Sequence, residues 1–232
     1  MRRKLIALFL FGIAFGYLEA SVVVYLRTIY EPIRQKISPR PANELFPLIT
    51  VAQLQEAGPD NTRRLLTELG REAATLVMLA AIGLGVAGNF AQWAGAFLVA
   101  FGVWDIFFYL SLKVLIDWPP SLLTWDLLFL LPVPWVGPVA APVIVSLSMI
   151  TCGLIVLYRP VELHAKHWTA IIVGGLIVVT ACCLDYANIS RGGMPHPFHW
   201  GVFLMGETIG IAGFAAALAR SRLQGFQRLP GY

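Results

Sequence analysis

Apolar residues follow one another along this chain in long blocks, parted by short polar or proline-rich stretches. Several blocks reach or approach the ~20 residues that an α-helix needs to cross the ~30 Å hydrocarbon layer of a bilayer. The first runs from Leu5 to about Tyr25, behind Arg2, Arg3 and Lys4. It is longer than the about 7–15 apolar residues of a signal peptide, and Leu18 is too large for the position three before a cleavage after Ala20. The block therefore predicts a retained first span. Gly12 and Gly16 within it form a GxxxG, the spacing that lets a second helix approach closely.

A polar loop follows at about 27–60, punctuated by Pro32, Pro39, Pro41, Pro47 and Pro59. It is too polar to span and too long for a mere connector, so it is a candidate lid or docking element. A second helix is predicted from Asn61, with Asp60 as its N-cap, entering the membrane near Ala73 and ending at Gly83, Gly85, Gly88 and Asn89. Further spans are predicted at Ala91 to Ile116, Val139 to Tyr158, Trp168 to Ala187 and His199 to Ala219. The stretch 121–131 differs. It is too short to span and stands between Pro119-Pro120 and Pro132, Pro134 and Pro138, which reads as a re-entrant or interfacial helix. Trp118, Trp125 and Trp135 suit headgroup level. The predicted fold is thus an all-α integral membrane protein, a single polytopic domain over 1–232 with six transmembrane helices plus one short helix at about 121–131.

Composition agrees with that pattern. Hydrophobic residues make up 58% of the 232 and charged residues 13%, against about 25% charged in soluble domains. The net charge of +4 does not signal nucleic acid, because the basic residues cluster at the ends of apolar blocks, where they meet lipid headgroups. The lipid bilayer is the partner this implies, with other membrane subunits as further candidates. Cys152, Cys182 and Cys183 all lie inside apolar runs and read as small packing residues.

With six spans and the N-terminus inside, 8 basic residues fall on the cytoplasmic face and 9 outside, seven of the latter spread from Arg27 to Arg71 over the long first loop and the helical start that follows it. Both termini and the 159–167 loop are compactly basic, which favours an inner (plasma) membrane protein with both termini cytoplasmic. Of the thirteen acids, Glu162 alone then falls on the cytoplasmic side.

Three carboxylates are predicted deep within spans. Glu19, Asp105 and Glu207 each lie on the order of 10–16 Å below the outer boundary, at a rise of about 1.5 Å per residue. Ionisable groups at such depth cost ~2.5 kcal/mol or more and normally face a bundle interior or a wet cavity. Glu72 at the mouth of the second span and Asp126 on the short helix complete a candidate catalytic set. Asp105, Tyr109, Lys113 and Asp117 recur every four residues as one polar ridge. Fastening is the competing role for such groups, since polar side chains also join membrane helices.

His196-Pro197-Phe198-His199 suggests a helix start with Pro197 in the first turn, His196 at the N-cap and His199 just inside. Together with Asp185 these histidines are the candidate metal ligands, and a divalent ion such as zinc is the cofactor that set would suit. A serine nucleophile motif, a phosphate-binding glycine loop and a dinucleotide fingerprint are absent. Three functional readings follow. They are an outward-opening, enzyme-like and metal-assisted pocket for a lipid-soluble ligand, a non-catalytic accessory subunit of a larger energy-transducing complex, and a transporter.

Overall fold

The computed structural model describes residues 2–37, 56, 58–131, 133–191 and 193–227. The chain is mostly helical, in the order α1 (Arg2–Ile37), α2 (Pro59–Leu84), α3 (Phe90–Ile116), β1 (Trp125–Phe129), β2 (Trp135–Pro138), α4 (Ala140–Tyr158), α5 (Ala165–Cys183), α6 (Tyr186–Ile189) and α7 (Trp200–Gln227). Five helices are long and apolar enough to cross a membrane: α1, α3, α4, α7, and α5 taken with α6. Leu10, Leu18, Val114, Leu147, Leu176 and Leu204 stand exposed along them. In water so much apolar surface would drive aggregation, whereas lipid covers it at no cost. The protein is membrane-embedded.

Glycine sets the tightest helix contacts. A Cβ on Gly16 of α1 would lie 2.6 Å from the Trp104 carbonyl oxygen of α3, and one on Gly102 of α3 would lie 2.6 Å from the Ser146 oxygen of α4. Gly174 of α5 and Gly206 of α7 face each other's backbones in the same way. Without a hydrophobic force between helices in lipid, close backbone approach and dispersion hold them together. Leu8, Phe15, Leu79, Val99, Ala100, Val103 and Trp104 fill the core between α1, α2 and α3.

The helix ends gather into two groups. At one, the Lys4 ammonium donates to the Val86 carbonyl at 2.8 Å, the Phe90 and Trp168 rings lie 5.4 Å apart, and the Glu162 amide donates to Ser221 Oγ at 3.0 Å. At the other, the C-terminal part of α1, the start of α2, the end of α3 and the start of α7 surround the β1–β2 hairpin.

Several sequence expectations need correction. The stretch 121–131 is not a helix. It is a turn leading into β1, which pairs antiparallel with β2, Trp125 opposite Pro138 and Phe129 opposite Trp135. A helix needs i→i−4 bonds that the flanking prolines cannot supply, and strand pairing satisfies backbone groups in an apolar setting instead. The loop predicted from about residue 27 begins later, because α1 continues through Pro32 to Ile37; residues 38–55 lie outside the described residues. Asp60 is not the cap of α2. Gly58 holds that place and Pro59 enters the first turn, where its fixed φ suits a helix start.

Candidate functional site

The candidate site is built where α1, α2, α3 and α4 meet the hairpin. Glu19, four residues beyond Phe15 on the core-facing side of α1, is buried, as are Glu72 and Asp105. None stands alone. The Arg71 guanidinium of α2 forms an ion pair with Glu19 and a second one, 2.7 Å long, with Glu68. Thr75 Oγ1 lies at 3.5 Å from Glu19, the limit of a hydrogen bond. Glu72 turns to the hairpin and accepts the Leu130 amide with both oxygens, at 2.9 and 3.2 Å.

A second group lies on α3 and β1. Tyr109 Oη donates to Asp126 Oδ2 at 3.0 Å, and Ser146 Oγ of α4 donates to Asp105 Oδ2 at 2.8 Å. Arg27, near the end of the first apolar block, stacks its guanidinium over the Trp118 ring at 4.1 Å, a cation–π contact that gains strength away from water. It also lies within electrostatic reach of Asp126 and Tyr109. Asp126 thus has a hydroxyl donor and a cation beside it. Burial nevertheless pushes its carboxyl up to about 6, against the opposing pull of Arg27 and of the Tyr109 hydroxyl.

Two indole N–H groups nearby, those of Trp104 and Trp135, are enclosed and have no acceptor among the described residues. Trp135 packs on Phe129, with ring centres 5.8 Å apart, and Phe129 in turn rests on the core that contains Trp104. Further out, Lys113 pairs with Asp117 at 2.6 Å in exposed surroundings. The polar ridge on α3 therefore divides into an inner part, Asp105 and Tyr109, and a solvent-facing end.

The deep trio does not close on itself. Glu19 pairs with α2, Asp105 with α4, and Glu207 of α7 lies near Cys152 of α4, its Oε1 enclosed without a hydrogen-bond partner among the described residues. Counting residues along each helix sets the three at one depth, but their neighbours lie on different helices.

The expected histidine arrangement is also revised. α7 begins at Trp200, so residues 193–199 precede the helix, and His196 is not an N-cap. The His199 carbonyl instead accepts the Phe203 amide at 3.1 Å, and its side chain is exposed. HxxH brings two imidazoles to one face only within a helix. Asp185 and His196 do come together, Oδ1 to Nδ1 at 2.7 Å, with the His196 amide 2.9 Å from Oδ2. Among the described residues no group of three or more His, Cys, Asp or Glu side chains could hold a metal ion. The set does not fit zinc.

Arg27, Ser146 and the Leu130 amide are the partners that sequence reading missed, since Arg27 was legible only as an orienting charge and Ser146 was hidden in an apolar block. Arg71, which the sequence offers as a partner of Glu72, forms its ion pairs with Glu19 and Glu68. No protein-family model, no curated protein and no solved structure matches this chain.

Proposed function

We propose that the chain is a six-span inner-membrane protein, termini cytoplasmic and α2 the sixth span, whose outer half holds an enzyme-like polar site for a lipid-soluble ligand. Glu19, Glu72, Asp105 and Asp126 exchange protons or hydrogen bonds with that ligand, and the hairpin forms its cover. One observation carries this reading. Among the described residues, five acids (Glu19, Glu68, Glu72, Asp105 and Asp126) around the hairpin and the adjoining part of α2 stand against three guanidinium groups, Arg27, Arg71 and Arg64, the last acting with Glu68 on Tyr30. An excess of carboxylates in low dielectric is not sustained as bare charge, so it takes up protons or a donor-bearing ligand. The two indole N–H groups without acceptors add donors to the same neighbourhood.

The test compares wild-type protein, Asp105→Asn and Asp126→Asn, each purified in mild detergent and extracted into organic solvent for mass spectrometry. A lipid-soluble molecule enriched with wild type and lost from both variants supports the site. Identical extracts from all three sink it. Single cysteines at Lys166 and Arg191, probed with a membrane-impermeant maleimide on whole cells, check the orientation: position 191 should label and 166 should not.

A second reading is an accessory subunit of a larger membrane complex. It is favoured by one fact, that Glu19, Glu72, Asp105 and Asp126 each already has a protein partner, as fasteners do. Co-purification of fixed partner subunits, with identical lipid extracts from wild type and variants, would select it.

A further inference from the structure

At the opposite end of the bundle from the hairpin, the turn between α2 and α3 frames an open hollow of about 410 Å³ lined by Leu84, Ala87, Asn89, Phe90 and Trp93. We propose that this hollow binds one anionic phospholipid of the surrounding bilayer, its apolar part against Leu84 and the aromatic rings and its phosphate beside Lys4. This does not depend on the function proposed for the hairpin end.

Four observations carry it. The lining is built, not incidental: the Trp93 indole N–H donates to the Ala80 carbonyl at 2.9 Å, and the Phe90 ring stacks on Trp93 at 5.4 Å while touching Trp168. The hollow is open and its apolar wall is accessible, with Leu84 70% and Phe90 64% exposed. Its rim is cationic, since Lys4 donates to Val86, the residue next to Ala87, at 2.8 Å and keeps two further N–H donors, while Arg2 and Arg3 beside it are exposed. Acid is sparse there, since the chain carries no Asp or Glu between Glu72 and Asp105 and Glu162 is the acid of this end among the described residues. An amphipathic molecule with an anionic head and an acyl body is the complement of an apolar, aromatic hollow with a basic rim. Asn89 caps α3 by accepting the Gln92 amide at 2.9 Å, which holds the turn in shape for it.

The full chain is reconstituted in nanodiscs of phosphatidylcholine containing phosphatidylglycerol and released for native mass spectrometry. One phosphatidylglycerol retained per chain in clear excess over its share of the bilayer is expected. Lys4→Gln should lower that retention several-fold, and Phe90→Ala should lower retention of both lipid classes. Arg220→Gln, a basic residue of α7 that does not line the hollow, should leave it unchanged. Thermal unfolding of each variant shows that it is folded. Equal loss in Lys4→Gln and Arg220→Gln would reduce the effect to diffuse surface charge and overturn the site. So would retention in wild type that inorganic phosphate abolishes, which would assign the rim to a free anion.

Discussion

Asp126, a partly exposed residue whose carboxyl is enclosed by its neighbours, ties stability to pH. Its carboxyl is held up to about 6 by burial, so between roughly pH 4 and 6 the folded protein keeps a proton that the unfolded chain has already lost. Its contribution is therefore greatest below the ordinary carboxylate value and is lost as pH rises through about 6. Allowing for solvent screening, the loss amounts to roughly 2 kcal/mol. Thermal unfolding in detergent across that range should show it, and Asp126→Asn should flatten this part of the profile. An unchanged slope in the variant would refute the assignment. Arg71 makes the second argument at this scale. Arg71→Leu leaves Glu19 buried without its cation and should cost roughly 2–3 kcal/mol, while Glu19→Leu/Arg71→Leu should recover most of that. A double variant no better than the single one would mean that the pair is not coupled.

At the scale of elements, glycine and the hairpin decide the packing. Gly16→Val would drive a side chain into the backbone of α3 at a point where even a Cβ has only 2.6 Å, and should destabilise by about 1–3 kcal/mol. Gly175→Ala, with nothing within 4 Å of the added carbon, should be neutral. Equal melting temperatures for the two would mean that the α1–α3 contact does not hold the fold. The hairpin is tied to α2 through Glu72 and to α3 through Asp126. Hydrogen exchange at the Leu130 amide is expected to speed up in Glu72→Ala, because the carboxylate that accepts this amide is gone; unchanged protection would show another acceptor.

Across the whole molecule the chemistry is unevenly distributed. Acids, guanidinium groups and the hairpin occupy one end, while the other holds a basic rim with Glu162 as the acid of that end among the described residues. Between them lie three closely packed helix pairs, α1 with α3, α3 with α4, and α5 with α7. Weaker contacts, of α4 with α7 and of α5 with β2, join the last pair to the rest. The contact of α4 with α7 is where Glu207 and Cys152 lie. If it is the softest seam of the bundle, detergents of increasing harshness should raise the reactivity of Cys152 toward a small maleimide before thermal unfolding begins. Reactivity that rises only together with global unfolding would show the seam to be as firm as the rest.

While α1 and α7 run on past their predicted ends to Ile37 and Gln227, the sequence by itself determined the membrane character, the existence of five apolar helices, the break around Gly85–Asn89 and the close approach at Gly12 and Gly16. These are local properties: apolar length is set by hydrocarbon thickness, and a missing Cβ acts wherever it lies. It also marked Glu19, Glu72, Asp105 and Asp126 as out of place in apolar surroundings. Tertiary structure decided their partners. Depth along a helix can be counted in residues, but the direction a side chain faces depends on which helices are neighbours, so Glu207 parted from Glu19 and Asp105. Tertiary structure also decided that 121–131 pairs as a hairpin, since the partner strand at 135–138 and the packing of Phe198 against Gly137 lie outside any local window. The histidines moved apart for the same reason: HxxH means one face only if the helix starts where the proline suggests, and here it starts three residues later.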